Sequence, residues 1–151
     1  YGIESCNDET LKLINRGHDF ACTQQAIEAT AKRGIYVGGH IILGLPGEDR
    51  SESLRQAPII SSLPLTILKI HQMQIIKGTK LEQIYKENPF PVYSVEEYVE
   101  LVTDYIQLLR KDLILERFVS QSPPELLLAP KWNIKNYEFT NLINNRLKKE
   151  K

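Results

Sequence analysis

Cysteine is scarce. Cys6 and Cys22 are the only two, sixteen positions apart, which fits neither a metal knuckle nor a CxxC redox pair. Two isolated cysteines suit a reducing compartment, so a cytoplasmic setting is expected. Net charge is also lacking: 19 basic residues balance 19 acidic ones, which excludes a strong global field for nucleic acid. The basic group Arg146, Lys148, Lys149 and Lys151 reads as a solvated helix end. No apolar run approaches the roughly 20 residues that span a bilayer, so no membrane partner is expected. No stretch has the pattern of a secretory signal peptide. Ser/His/Asp order, HExxH, GxGxxG, a Walker sequence, a metal-ligand cluster, internal repeats and low-complexity segments are all missing. Methionine occurs once, at Met73, and the sequence opens on Tyr1. Residues 1–5 read as the end of a strand, so the expectation is a fragment of a longer protein.

What is present suits an ordinary globular domain, with 42% hydrophobic and 25% charged residues. The 151 residues are enough for one core, and too few for an eight-unit barrel of about 250 residues. The most informative stretch is 38–49, Gly-Gly-His-Ile-Ile-Leu-Gly-Leu-Pro-Gly-Glu-Asp. It reads as a strand over 35–45, covered on both faces, running into a glycine turn and a helix start. Asp49 is an expected N-cap, with Glu52 completing a capping box.

In chain order, a short helix is expected over 10–16, with Gly17 in the left-handed position that ends it. A second helix is expected over 19–33, with Gly34 past its end and an apolar stripe of Ala26, Ile27, Thr30 and Ala31. The helix over 51–63 should be bent or shortened by Pro58. A third strand is expected over 66–76, a short helix over 79–86 and a longer one over 94–110 boxed by Ser94 and Glu97. A fourth strand over 113–120, an extended connection over 122–130 and a helix over 135–149 complete the chain. Strands alternate with helical segments, which predicts right-handed crossovers, a parallel sheet and the α/β class.

In such sheets ligands sit at the carboxyl ends of the strands. Glu4 and His40 lie at or near the ends of successive strands, and Arg16 lies just past the first helix. Lys69 and His71 alternate on one face of the third strand, with Gln72 and Gln74 on the other. A Lys-x-His inside an apolar strand is costly unless paired or wet. His71 therefore reads either as a satisfied core histidine with Lys69 snorkelling, or as part of a site. The two glycines before His40 suit the close approach of a ligand or of another backbone. Glu48 reads equally as a helix-start acid, and Arg16 as a basic helix end.

Three stretches, 2–5 (Gly-Ile-Glu-Ser), 15–18 (Asn-Arg-Gly-His) and 40–48, resemble the second half of a radical S-adenosylmethionine (SAM) enzyme. With 69–71 (Lys-Ile-His), 77–79 (Lys-Gly-Thr) and 126–132 (Leu-Leu-Leu-Ala-Pro-Lys-Trp), the chain looks like the YhcC-like group, relatives of elongator and oxygen-independent coproporphyrinogen oxidase enzymes. The resemblance implies half of a partial (β/α)₆ barrel. Residues 1–112 would form its fourth to sixth units, and 113–151 a carboxyl-terminal extension of the same domain. It also implies SAM contacts. Glu4 and His40 would lie near the ribose or amino-acid moiety, Arg16 at the carboxylate, Gly44 at the adenine side, and Gln74 with Ile75 along the adenine wall. Lys69 and His71 would serve as catalytic residues on the substrate side.

The family's CxxxCxxC loop for a [4Fe–4S] cluster is absent, so the resemblance implies cluster ligands outside this chain and an inactive fragment. For the parent it implies reductive cleavage of SAM to a 5′-deoxyadenosyl radical and hydrogen abstraction. The substrate would be a tRNA or a small molecule, with flavodoxin or ferredoxin as electron donor. An open sheet edge would lead the fragment to self-associate or to cover that edge with its own terminus. The alternatives are a non-catalytic flavodoxin-like binding domain, which would show a switch point in its strand order, and a non-radical barrel enzyme using His71 and Lys69 as acid and base.

Overall fold

The computed structural model describes residues 1–149. In chain order its elements are β1 (Gly2–Glu4), α1 (Asp8–Leu13), α2 (Phe20–Ala31), β2 (Gly38–Leu43), α3 (Arg50–Ser62) and β3 (Ile67–Gln72). There follow β4 (Ile75–Ile76), α4 (Lys80–Glu87), α5 (Val95–Leu108), β5 (Ile114–Arg117), β6 (Leu127–Ala129) and α6 (Asn136–Lys149). Four strands make one parallel sheet in the order β1-β2-β3-β5, and β4 pairs antiparallel with β6 in a separate ribbon. The sheet's strands follow chain order, with only β4 of the separate ribbon between β3 and β5, so among the described residues it has no topological switch point. The flavodoxin-like alternative therefore falls.

Side-chain alternation sorts the sheet into two faces. Ile3, Gly39, Ile41, Leu43, Leu68 and Ile70 are buried on the helix side, in a core shared with Ile60 of α3, Tyr98 and Tyr105 of α5, and Phe139 of α6. The opposite face presents Glu4, His40, Ile42, Ile67, Lys69 and His71, all half-buried. A helix layer on one side and a half-open polar face on the other leave chemistry to the second.

Short polar side chains set the helix starts. Asn7 accepts from the Glu9 and Thr10 amides, Asp19 from Cys22, Thr79 from Glu82, and Ser94 with Glu97 forms the expected capping box. Asp49 caps α3, but the box is only half made. The Glu52 carboxylate turns instead to Asn7 Nδ2 (2.9 Å) and Arg55 (2.7 and 2.8 Å). Pro58 does not shorten α3, which continues past it to Ser62. At the end of α1 the left-handed residue is Asn15 (φ 55), not Gly17 alone. The Asn15 amide bonds Lys12 O and the Arg16 amide bonds Leu11 O, a Schellman closure.

Several strands are shorter than expected: β2 is Gly38–Leu43 within 35–45, and β5 is Ile114–Arg117 within 113–120. The stretch expected as one strand over 66–76 is broken after Gln72, and Gln72 and Gln74 explain why. Gln72 exchanges two bonds with the Ser120 backbone (2.9 and 2.8 Å), and Gln74 Nε2 also reaches Ser120 O (3.3 Å). Side-chain amides thus continue the seam where β5 has ended, and the backbone is released to pair Ile75 with Ala129. The connection over 122–130 is not wholly extended: residues 124–126 form a turn, and β6 follows it. The outer edge of β1 meets no other strand among the described residues. The terminal helix α6 packs on α5, on the helix side, so the expected cover by the chain's own terminus is not what α6 provides. Lys151, counted with the basic tail, lies outside the described residues. No helix among the described residues is long and apolar enough to cross a membrane.

Candidate functional site

The polar face of the sheet collects residues from β1, β2, β3 and β5. The β2–β3 register sets His40 beside Lys69 and Ile42 beside His71, so the two histidines are diagonal neighbours on one face. Their rings meet edge to face, with centroids 4.1 Å apart and His40 Nε2 2.6 Å from His71 Nδ1. Glu4 Oε2 lies 3.8 Å from His40 Nδ1 and has no hydrogen-bond partner although buried. Glu4 holds φ at 65°, a left-handed backbone that is costly for a residue with a side chain. Gly2 leaves room for this arrangement, since a Cβ there would run into Glu4 Oε1 and stand 3.0 Å from Arg16 Nη2. Lys69 Nζ pairs with Glu116 Oε1 at 3.2 Å. A recess of about 570 Å³ on this face is lined by Tyr1, Gly38, His40, Lys69, His71 and Arg117, among others.

Electrostatics on this face favour neutral imidazoles. Burial lowers the His40 pKa, with Glu4 opposing and Arg117 and Lys69 adding to the fall. Burial, then His40, Arg117 and Lys69, push His71 down to about 4. Arg16 is near but engaged: its Nη2 donates to Gly2 O at 2.7 Å, while its buried Nε has no partner. The preceding Tyr1 carbonyl bonds the His40 amide, so by alternation the Gly2 carbonyl faces the outer edge of β1.

The turn after β2 lines a second cavity of about 610 Å³, between residues 43–50 and the Phe90, Val92, Tyr93 and Trp132 side chains. Gly44 and Gly47 both have φ 84°. Glu48, for which a helix-start acid is a sufficient reading from the sequence, is buried in a network. Ser5 Oγ donates to its Oε1, Gln56 Nε2 donates to the same oxygen at 3.0 Å, and Thr10 also bonds the carboxylate. Gln56 Oε1 in turn accepts from the Cys6 amide at 2.7 Å. The network ties the ends of β1 and β2 to α3.

Burial pushes the Glu48 carboxyl up, against the hydrogen bonds from Ser5, Thr10 and Gln56 that favour its charged form. A folded pKa above the unfolded one means stability that is full below the ordinary carboxylate range and lost as pH rises through the folded value. Glu48→Gln cannot ionise, so the melting temperature of the wild type should fall relative to this variant across that window. A pH-independent difference between the two melting curves would contradict the assignment.

Of the residues nominated from sequence, Glu4, Arg16, His40, Lys69 and His71 come together at the polar face. Gly44 lines the second cavity, and Gln74 lies at the Ser120 seam, where it also accepts from Ser122 Oγ at 2.7 Å. Ile75 is fully buried with Leu45, Met73 and Ala129. Sequence reading missed Arg117 and Glu116. Strict alternation would put them on opposite faces, but a register shift between Leu68 and Lys69 sets Arg117 opposite Lys69. Ser5 and Gln56 were missed because no periodicity signals a buried polar network.

Among the described residues no group of three or more His, Cys, Asp or Glu could hold a metal ion. Cys22 is exposed, and burial pushes the Cys6 thiol up to about 12, far from the thiolate a cluster needs.

Comparison with known proteins agrees with this architecture. The family model described as the Radical_SAM C-terminal domain matches residues 65–149. MJ0486 of Methanocaldococcus jannaschii is 36% identical over 149 residues, 98% of this chain and 46% of that protein. YhcC of Escherichia coli is 31% identical over 131 residues, 87% of this chain and 42% of that protein. The chain thus spans less than half the length of these relatives. The solved structure of Methanocaldococcus infernus Elp3 with an N-terminal deletion superposes with a TM-score of 0.84 at 23% identity. It covers 99% of this chain and 35% of that one, and establishes likeness of fold.

Proposed function

The chain belongs to the Radical_SAM C-terminal domain family, and from that premise we propose that it forms the second half of the catalytic barrel of a longer radical SAM enzyme. The polar face is the wall turned toward SAM and the substrate. The observation that carries this reading is the convergence of Glu4, His40, Lys69 and His71 on one half-open sheet face, with Glu4 Oε2 and His71 Nε2 buried and unpartnered. Buried polar atoms without partners are uncommon and suit a site that a polar ligand completes.

The residues present fit SAM. The Arg16 guanidinium, half-buried beside β1, has the planar donor fork that suits a carboxylate. Glu4 supplies an acceptor for hydroxyl or amino groups, with His40 beside it on the same face. Gly38, on the same face as His40, keeps the adjoining strand free of side-chain bulk there. The residues do not fit a [4Fe–4S] cluster, whose thiolate ligands belong to the remainder of the longer protein. SAM bound at such a cluster supplies radical hydrogen-abstraction chemistry. This chain binds and orients the ligand, shields it from water, and holds Lys69 and His71 toward the substrate.

Arg16→Ala in the longer, cluster-loaded protein is expected to weaken SAM binding about tenfold or more, the scale of one lost charge-assisted hydrogen bond. Calorimetric titration measures it. Unchanged affinity would take Arg16 out of the site and leave it only the Gly2 carbonyl.

A further inference from the structure

The two histidines of the polar face admit two neutral arrangements, and their surroundings distinguish them. A neutral imidazole carries one N–H, and the ring it donates to must offer a bare nitrogen. In the first arrangement His40 Nε2–H donates to His71 Nδ1. The bare His40 Nδ1 then faces the Glu4 carboxylate 3.8 Å away, lone pair toward anion, and His71 Nε2–H is a buried donor with no acceptor. In the second, His71 Nδ1–H donates to His40 Nε2, and the His40 Nδ1–H faces Glu4 Oε2 across 3.8 Å, longer than a hydrogen bond but favourable in charge. His71 Nε2 is then left as a bare acceptor. The first arrangement combines a repulsion with an unsatisfied donor, whereas the second has only an unfilled acceptor at the working end. Glu4 selects the second. The left-handed backbone at Glu4, expensive for a residue with a side chain, holds the carboxyl at that place.

We propose that Glu4, His40 and His71 form a proton relay ending at His71 Nε2, which acts as general base toward a substrate seated over the polar face. The base role rests on reading that face as the substrate side. His71 Nε2 takes a proton, the His71 Nδ1 proton passes to His40 Nε2, and the His40 Nδ1 proton passes to Glu4 once that pair closes from 3.8 Å to hydrogen-bond distance. One proton enters and the carboxylate is neutralised. Both rings are uncharged before and after, so no imidazolium is left standing in a site that disfavours it. Burial is the largest part of that disfavour on both rings. Arg117 on β5 and Lys69 on β3 oppose positive charge on both rings, and the Tyr1 ammonium opposes it on His40. Glu4 favours positive charge on His40, and Glu116 is already paired with Lys69. His71 is the catalytic residue here; His40 and Glu4 position and relay.

The test is the ring-nitrogen protonation pattern from two-bond ¹H–¹⁵N correlation spectra of the protein at pH 7, with exposed His18 as internal reference. Expected are Nδ1–H on both His40 and His71, with His71 Nε2 giving the signal of a bare nitrogen. In Glu4→Ala the acceptor is gone, and both rings should switch to Nε2–H. A proton on His71 Nε2 in the wild type would overturn the relay, as would tautomers unmoved by Glu4→Ala. If Glu4→Ala does not fold, the wild-type pattern decides alone. The readout needs neither cofactor nor substrate, so it stands or falls separately from SAM binding.

Discussion

Tyr98→Ala is expected to cost about 3–5 kcal/mol, the range for deleting a large buried aromatic. Tyr98 on α5 has 0% exposure and sits where three elements meet. Its ring packs 5.1 Å from Trp132 and 5.3 Å from Phe139 of α6, and its hydroxyl donates to Phe118 O just past β5 at 3.0 Å. Truncation opens a cavity between α5, α6 and the sheet and orphans that carbonyl. Against a total stability of about 5–15 kcal/mol this is a large share. Tyr98→Phe keeps the ring and loses only the hydrogen bond, so about 0.5–1.5 kcal/mol is expected. Urea titration of both variants separates the two contributions. An alanine variant with the wild-type midpoint would show that this aromatic layer does not anchor α6.

Gly44→Val is the second large effect, for two independent reasons. Gly44 has φ 84°, where an ordinary side chain costs about 1–3 kcal/mol. A Cβ there would also stand 3.0 and 3.1 Å from the Tyr93 ring, and overpacking of that kind costs about 1–3 kcal/mol more. Gly17 provides the control, because it has a similar φ of 83° and nothing within 4 Å of the added Cβ. Gly17→Val should therefore show the backbone cost alone, and the difference between the two midpoints isolates the clash with Tyr93. Equal losses would mean that Tyr93 yields without cost and that the cavity beside the turn is adaptable.

Local chemistry made much of the fold legible. Asn7, Asp19, Asp49, Thr79 and Ser94 cap helices as short polar side chains should, and alternation along β3 correctly separated Lys69 and His71 from Gln72. The α/β class and parallel sheet followed from the order of elements. The break after Gln72 was hidden because Met73, Ile75 and Ile76 carry the strand-like pattern on past it, with no Gly or Pro to mark a turn. What ends the strand is a pair of amides bonding Ser120, nearly fifty positions away. Glu48 was hidden for the opposite reason: an acid at a helix start already has a sufficient local explanation, and only the tertiary fold brings Ser5 and Gln56 to it. Arg117 reaches the polar face through a bulge that no residue pattern announces. Glu4, Arg16, His40, Lys69 and His71 could be gathered from strand-end logic and family resemblance, but the His40–His71 contact is a product of register.

The reading of this chain as half of a radical SAM barrel is tested most directly by electron paramagnetic resonance on the longer protein, reconstituted and reduced without oxygen, with and without SAM. The expected result is a [4Fe–4S] signal that shifts when SAM is added, together with release of 5′-deoxyadenosine. No cluster signal and no deoxyadenosine from correctly folded protein would contradict it, and would leave the polar face of the sheet to a different ligand.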